Sequence, residues 1–183
     1  MKKLMIIASI ISLAAFICFT VMYYQEGFGL YLSLSITFGV LFYHLAMRLI
    51  VGYSFNAVMH NKADYENRRY RLKHFELKLY KFLRVKRWKD YMPSYNNDEF
   101  DPTKRSWEEI AMATCQSELI HTTNVVLSFL PLILAIWFSD FPVFLITSVL
   151  AAGFDLMYVI MQRYNRARIV RVIKTKNKLK NKL

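Results

Sequence analysis

The sequence predicts an all-α integral membrane protein with four helices, paired as two transmembrane hairpins and joined by a cytoplasmic amphipathic helix and loop. Three observations predict this class. Of the 183 residues, 55% are hydrophobic and only 21% are charged, and the mean hydropathy is positive, which is unusual for a soluble domain. The apolar residues form four long blocks. The basic residues fall on only one side of these blocks. We therefore expect one membrane domain over residues 1–183.

Each apolar block is long enough to cross about 30 Å of hydrocarbon at about 1.5 Å per residue. The blocks are residues 4–24, 28–51, 119–138 and 141–161. The first block follows two lysines, as in a signal peptide. However, it is longer than the apolar region of a signal peptide, and no small residues follow it as a cleavage site. We therefore expect it to be retained. The breaks after the first block and at Ser139-Asp140 are long enough only for tight turns.

The basic residues predict the orientation. Two precede the first block, fourteen lie between Arg48 and Arg105, nine lie from Arg163 onward, and neither tight turn contains one. The positive-inside rule then predicts a multi-pass protein of the cell membrane with both termini, the segment 54–106 and the basic tail 163–183 in the cytoplasm. The net charge of +12 would face anionic lipid headgroups, and we expect no nucleic-acid partner.

The cytoplasmic segment contains apolar residues at intervals of three and four, which predicts an amphipathic helix: Leu72, Phe75, Leu79 and Phe82. Such a helix lies in the headgroup plane or packs on the cytoplasmic end of the bundle. It leads into "RVKRWKDYMP", where Trp88 sits among basic residues as interfacial tryptophans do. The stretch "PSYNNDEFDP" is rich in turn formers and predicts a loop, a candidate lid.

A capping box begins the third long helix. The Ser106 hydroxyl and the Glu109 carboxylate are spaced to satisfy each other's free backbone N–H groups. The helix should run from Trp107 into the third span, where Pro131 removes a backbone N–H and kinks it.

Several polar residues fall near the predicted cytoplasmic boundary. Glu118 and His121 are three residues apart on one helical face, which suits a general base and the carboxylate that orients it. His44 and Arg48 are four apart; His44 could be a polar core residue and Arg48 a snorkelling cation. Asp155 needs a partner inside the bundle, with Arg48 or Arg163 as candidates, and a structural ion pair would explain it equally well.

The sequence gives little indication of a disulfide, a cysteine nucleophile or a metal site. Cys18 falls in the first helix and Cys115 in the reduced cytoplasmic segment, so no disulfide is expected. Cys115 lies three residues before Glu118, where a thiol could carry an acyl group, but a small buried apolar residue is the simpler interpretation. No CxxC or HExxH spacing occurs, so we expect no metal and no bound cofactor.

Four stretches taken in order resemble one family. "FYHLAMRLIVG", "FLRVKRWKDYMP", "CQSELIH" and "QRYNRAR" are similar to the glycosyl-4,4'-diaponeurosporenoate acyltransferases, small bacterial membrane proteins. The resemblance covers roughly residues 40–170, with Ala167 in place of a proline in the family's last motif. It implies functional roles for Trp88, Lys89, Glu118, His121, Gln162, Arg163, Asn165, Arg166 and Arg168.

The resemblance implies transfer of a fatty acyl group to a sugar hydroxyl of a glycosylated carotenoid. Combined with the polar residues above, it predicts His121 as the base and Glu118 as its partner. His44, Arg48, Asp155, Trp88, Lys89 and the polar residues of "QRYNRAR" would bind substrate or donor. The partners would be membrane lipids, a glycolipid acceptor and acyl-CoA or a similar acyl thioester. Two alternatives remain open: a non-catalytic accessory protein that binds anionic lipid or a partner, and another lipid-modifying transferase. No oligomeric state is predicted.

Overall fold

The computed structural model describes residues 2–93, 97–138 and 141–181, and within these ranges the regular structure is entirely helical. The predicted all-α class is therefore confirmed. The predicted turn at Ser139-Asp140 and residues 94–96 of the predicted loop lie outside the described residues. The α-helices are α1 (Lys2–Glu26), α2 (Gly29–Met59), α3 (His74–Phe82), α4 (Val85–Trp88), α5 (Trp107–Leu127), α6 (Ala135–Phe138) and α7 (Phe141–Lys180). Four 3-10 helices lie at Arg68–Tyr70, Lys89–Tyr91, Asn97–Phe100 and Leu130–Leu134.

Among the described residues, four helical segments are long and apolar enough to cross a membrane: Lys2–Glu26, Gly29–Met59, Trp107–Phe138 and Phe141–Lys180. They match the four predicted blocks, with longer boundaries. Large apolar side chains cover their outer surfaces; in α1, for example, Leu4 and Ile10 are 68% and 62% exposed. A soluble protein rarely exposes so much continuous apolar surface, and lipid would cover it in a membrane protein.

The chain folds into two compact units. Unit 1 comprises Met1–Tyr53 and Thr123–Asp155, and unit 2 comprises Ser54–Thr122 and Leu156–Leu183. Helix α7 therefore contributes residues to both units. It also continues to Lys180, beyond the predicted end of the fourth span, because no glycine or proline interrupts the chain after Gly153. Most of the predicted basic tail is thus helical.

Unit 1 is a helical bundle with a small apolar core. Ile36 and Val40 of α2 pack against Phe144 of α7. Helices α1 and α2 approach closely at Gly39, where an added Cβ would lie 3.0 Å from the Phe16 ring, so a larger residue would have to displace that ring. The Thr20 and Ser35 hydroxyls are also hydrogen-bonded, at 2.6 Å. These contacts join the first predicted hairpin.

Pro131 interrupts the third membrane segment, as the sequence predicts. Helix α5 ends at Leu127, and a 3-10 helix follows at Leu130–Leu134. In an uninterrupted α-helix the Leu127 carbonyl would accept the N–H of residue 131, which proline lacks. The Tyr43 hydroxyl donates to this carbonyl instead, at 2.8 Å. A side chain of α2 thus compensates for the proline.

Removing this hydroxyl should destabilise unit 1. In Tyr43→Phe the ring remains but the Leu127 carbonyl loses its donor, and an unpaired buried acceptor costs about 1–3 kcal/mol. We expect a lower thermal unfolding midpoint in a fixed detergent. Tyr53→Phe is the matched control, since Tyr53 is exposed on the same helix and contacts Lys2 through its ring. Equal midpoints for the two variants would show that the carbonyl has another partner.

Unit 2 contains the expected capping box. Ser106 N donates to Glu109 Oε2 at 2.8 Å, and Glu109 N donates to Ser106 Oγ at 3.2 Å, which starts α5 where predicted. Helix α3 buries Glu76 and Tyr80, while its apolar residues Phe75 and Phe82 are exposed. The apolar stripe predicted from the sequence therefore lies on the surface of the unit, as a helix in the headgroup plane requires.

Candidate active site

Two arginines of α7 and two glutamates form a buried ion network in unit 2. Arg163 donates from Nε and Nη2 to the two oxygens of Glu76, at 2.8 and 3.1 Å. Its Nη1 donates to Glu118 Oε1 at 2.6 Å, and Arg166 Nη2 donates to Glu118 Oε2. The four side chains are each at most 12% exposed. Two positive and two negative charges therefore cancel inside the unit.

Arg163 has no N–H group left for a ligand. A guanidinium carries five N–H donors. Three of them go to the two glutamates, and two reach the backbone carbonyls of Arg69 and Arg71, at 3.5 and 3.3 Å. Arg163 thus fastens α7 to α3, α5 and the segment before α3. Its geometry is that of a structural clamp.

Arg166 differs because one of its nitrogens is unused. Nε and Nη2 donate to the Tyr70 carbonyl at 3.3 and 3.2 Å, and the guanidinium lies 4.9 Å from the centroid of the Tyr70 ring. Nη1 is buried and has no acceptor among the described residues. A buried guanidinium nitrogen without a partner is costly. This nitrogen is therefore the donor in the network that a bound oxygen atom could use.

Local sequence explains why the network forms. Arg163 and Arg166 are three residues apart, so they share one face of α7. Glu76 stands three residues after Lys73 at the start of α3 and also accepts the Lys73 N–H at 2.6 Å. Burial alone would raise the pKa of Glu76, but the hydrogen bonds from Arg163 and Lys73 outweigh it and lower the pKa. Glu76 is consequently ionised at neutral pH.

Tyr80 extends the network outward along α3. Its hydroxyl donates to Glu76 Oε1 at 3.4 Å, and its ring meets the Tyr164 ring edge to face at 6.3 Å. Burial, and then the negative charge of Glu76, raise the pKa of Tyr80 to about 12. The hydroxyl therefore stays protonated and remains a donor.

His121 lies one helical turn from Glu118 on α5, about 4.5 Å along the helix axis. Its half-buried ring stacks on Tyr158 of α7, with centroids 4.4 Å apart and planes 9° apart. The Tyr158 hydroxyl donates to the Pro93 carbonyl at 2.8 Å, which anchors the start of the predicted loop. Stacking fixes the plane of the imidazole. Since Arg163 and Arg166 engage both Glu118 oxygens, an orienting effect of Glu118 on His121 stays a prediction.

The other predicted residues of unit 2 are spread around this network. Gln162 is buried and Asn165 half-buried on α7, and the Arg168 guanidinium lies 6.0 Å from the Tyr164 ring centroid. Trp88 Nε1 donates to the Leu83 carbonyl at 3.0 Å, and Lys89 pairs with its neighbour Asp90. In the described part of the chain, Trp88 and Lys89 therefore have local partners, whereas Arg163 and Arg166 both contact Glu118.

Cys115 is fully buried on α5, with Arg166 and Glu118 as nearby charged groups. A thiol that carries an acyl group must reach both the donor and the acceptor. Arg166 is equally buried, so burial does not distinguish the two residues, and a small apolar residue remains the simpler interpretation of Cys115.

Unit 1 contains a separate polar cluster. Asp155 is fully buried and pairs with Arg48 Nη2 at 2.5 Å, which identifies Arg48, one of the two predicted candidates, as its partner. Asn124 Nδ2 donates to the other Asp155 oxygen at 3.2 Å. Arg48 also donates to the carbonyls of His44 and Ala151, at 2.7 and 3.0 Å. The ion pair is thus extended by hydrogen bonds, as a buried pair needs.

Several buried polar atoms of this cluster lack a hydrogen-bond partner within the described ranges: both His44 ring nitrogens, Arg48 Nε, Asn124 Oδ1 and Ser148 Oγ. Val40 of α2 packs on Phe144 of α7. Arg48, eight residues later in α2, contacts Ala151, seven residues later in α7, so the two helices run parallel here. His44 and Ser148 consequently lie at one level. The unpaired atoms include both donors and acceptors, which suits a neutral hydroxyl or a water molecule.

Several contributing residues were not singled out from the sequence: Glu76, Tyr70, Tyr80 and Tyr158 in unit 2, and Asn124 and Ser148 in unit 1. Glu76 lies on the polar side of the predicted stripe, where a solvated charge is the usual interpretation. Tyr70 contributes its carbonyl, which carries no sequence signal. Tyr158 lies four residues before Gln162, so the two share a face of α7, but aromatic residues are common in membrane helices.

No curated protein and no solved structure matches the chain. A family model described as glycosyl-4,4'-diaponeurosporenoate acyltransferase matches residues 64–175, which is more than half of the chain. The matched range contains the ion network, His121 and most of α7. The chain therefore belongs to the glycosyl-4,4'-diaponeurosporenoate acyltransferase family.

Proposed function

We propose that the protein transfers a fatty acyl group from a cytoplasmic acyl thioester, such as acyl-CoA, to a hydroxyl of a glycosylated lipid at the inner face of the cell membrane. The acceptor is a carotenoid glycoside or another glycolipid. The observation that carries this proposal is the family match over residues 64–175, because that range contains His121 and all four residues of the ion network.

The proposed reaction is direct acyl transfer. His121 removes the proton from the acceptor hydroxyl, and the oxygen attacks the thioester carbonyl carbon. The carbonyl oxygen becomes an oxyanion, which accepts a hydrogen bond from Arg166 Nη1, the unpaired buried donor. The C–S bond then breaks, the thiolate takes the proton from His121, and the products are an ester and a free thiol.

The remaining network residues hold this arrangement in place. Glu118 accepts hydrogen bonds from both arginines and keeps Arg166 in position. Arg163 joins α7 to α3 and α5 through Glu76 and Glu118. A positioned base contributes about 10²–10⁴ to the rate, and an oxyanion donor about 10²–10³. These two residues therefore account for most of the side-chain catalysis that we propose.

The outer polar residues are assigned to binding. Gln162, Asn165 and Arg168 on α7 and Trp88 and Lys89 after α3 would contact the polar parts of donor and acceptor. In unit 1, His44, Arg48 and Asp155 would bind an uncharged polar group, since the Arg48 and Asp155 charges compensate each other and His44 has two unpaired nitrogens.

Lipid mass spectrometry tests the proposal directly. Extracts of cells that express the protein are compared with extracts of cells that express His121→Gln at equal membrane levels. We expect a glycolipid heavier by one fatty acyl group only in the first sample. A mass increase of one methylene group instead would indicate a methyltransferase, and identical lipids in the two samples would contradict acyl transfer by His121.

A non-catalytic accessory role is the second candidate. The fully satisfied donors of Arg163 and the cancelled charges of the network favour it, because they describe a structural element. This candidate predicts that His121→Gln has no effect on lipid composition. It also predicts a gradual loss of binding to anionic vesicles as exposed cations are removed.

Cys115→Ser should leave acyl transfer nearly unchanged. The thiol is fully buried, and the direct mechanism uses no thioester on the protein. Transfer is measured in membranes with a radiolabelled acyl-CoA, and Cys18→Ser is the control for loss of a thiol at an exposed position. An inactive Cys115→Ser variant of normal stability would favour a covalent acyl-thiol intermediate.

A further inference from the structure

The surface of unit 2 contains a basic pocket that has no role in the mechanism proposed above. Two of its lining residues, Tyr80 and Tyr164, also adjoin the ion network. The pocket has a volume of about 480 Å³, within the usual range for small-molecule sites. Four cations line it, Lys81, Arg84, Lys86 and Arg87, together with Leu77, Tyr80, Val85 and Tyr164. No acidic residue is among them, so the lining carries a charge of +4.

The backbone at the pocket is held in an unusual conformation. Arg84 has φ 51° and ψ 40°, the left-handed region that side chains other than glycine, asparagine and aspartate rarely adopt. This residue joins α3 to α4 and turns the chain sharply. The turn brings the cation of α3, Lys81, into the same pocket as those of α4. A costly conformation that gathers like charges suggests a binding function.

The aromatic wall connects the pocket to the candidate active site. Tyr80 lines the pocket, and its hydroxyl donates to Glu76, which pairs with Arg163. Arg163 in turn pairs with Glu118. One side chain therefore separates the pocket from the ion network, and both lie within unit 2. A molecule whose anionic end occupied the pocket could extend its other end toward this network.

We propose that this pocket binds the phosphate groups of an organic polyphosphate, and that it holds the nucleotide end of the acyl thioester donor during transfer. The second part rests on the proposed function. Clustered arginines and lysines bind phosphate through charge-assisted hydrogen bonds, and the half-buried Tyr164 ring offers an aromatic surface for a nucleobase. The network itself is electrically neutral, so it offers no comparable attraction for several phosphates.

Binding of coenzyme A to the purified full-length protein in detergent tests the proposal, with Arg84→Gly/Arg87→Ala as the pocket variant. Glycine accepts the positive φ at position 84, so this substitution removes the guanidinium without straining the turn. Lys78→Ala/Lys176→Ala is the matched control, since it also removes two cations, from exposed positions of α3 and α7 outside the pocket.

We expect the pocket variant to bind coenzyme A at least about tenfold more weakly than the wild type, because two charged hydrogen-bond donors are lost. The control should stay within about twofold, and the wild-type affinity should fall as salt is raised. Equal affinity of the wild type and the pocket variant would overturn the proposal. So would loss of binding in the control to the same extent.

A second arm separates the donor from a lipid headgroup. Vesicles that contain phosphatidylglycerol present single phosphates, whereas coenzyme A presents three on a soluble molecule. If the pocket variant loses vesicle binding but the wild type does not bind coenzyme A, the pocket is a lipid site and the donor proposal is wrong. Coenzyme A binding is measured without turnover. Pocket-dependent binding by a protein that transfers no acyl group would therefore support the polyphosphate site and contradict only the proposed function.

Discussion

His121→Gln should lower the rate of acyl transfer by about 10²–10⁴-fold while leaving the fold intact. Glutamine keeps a planar polar group next to Tyr158, but an amide does not accept a proton near neutral pH. The expected loss is therefore in the chemical step and not in packing. Single-turnover transfer from a radiolabelled acyl-CoA in membranes measures that step, because it separates chemistry from product release.

Two comparisons make this result specific. His74→Gln removes an exposed histidine at the start of α3 and should transfer acyl groups at the wild-type rate. Tyr158→Phe retains the stacked ring and loses only the hydrogen bond to the Pro93 carbonyl, so it reports on positioning of the loop. Wild-type activity in His121→Gln would exclude His121 as the base, whereas no transfer by either protein would favour the accessory role.

The sequence identifies the membrane helices because their apolar blocks are continuous and their caps are local. The Ser106–Glu109 capping box and the Pro131 break appear in the structure where the residues predict them. The end of α7 was harder to predict because the change from apolar to basic residues marks a change of surroundings, not of backbone conformation. A helix continues until a glycine, a proline or a cap ends it.

The residues of the ion network were easier to predict than their pairing. Glu118, Arg163 and Arg166 are charged residues near a predicted boundary, and in the structure both arginines donate to Glu118. Glu76 was missed because it is separated from Arg163 by 87 positions and only the tertiary fold brings them together. Likewise, two of the five N–H donors of Arg163 are satisfied by backbone carbonyls. Every residue has a backbone carbonyl, so the sequence does not show which ones Arg163 contacts. Side-chain chemistry can therefore be anticipated from sequence, whereas charge compensation needs coordinates.

This compensation leads to the prediction with the largest effect on stability. Glu118→Gln replaces a carboxylate that two arginines share by a neutral amide, whose NH₂ group faces a guanidinium donor. The network then carries an uncompensated buried positive charge, and breaking a buried pair in this way costs about 3–5 kcal/mol. Equilibrium unfolding in mixed micelles measures the loss. Glu108→Gln, in the first turn of the same helix, should cost less than about 1 kcal/mol.

A double-mutant cycle distinguishes pairing from a simple change of shape. If Glu118 and Arg166 stabilise each other, Glu118→Leu/Arg166→Met should be less destabilised than the sum of the single variants, because the double variant leaves neither charge alone. The exposed pair Lys104–Asp98 supplies the control cycle, with a coupling energy below about 1 kcal/mol. Additive losses at Glu118 and Arg166 would mean that water already screens the two charges. The buried donor Arg166 Nη1 would then have no special affinity for an oxyanion, and the proposed mechanism would lose its second catalytic group.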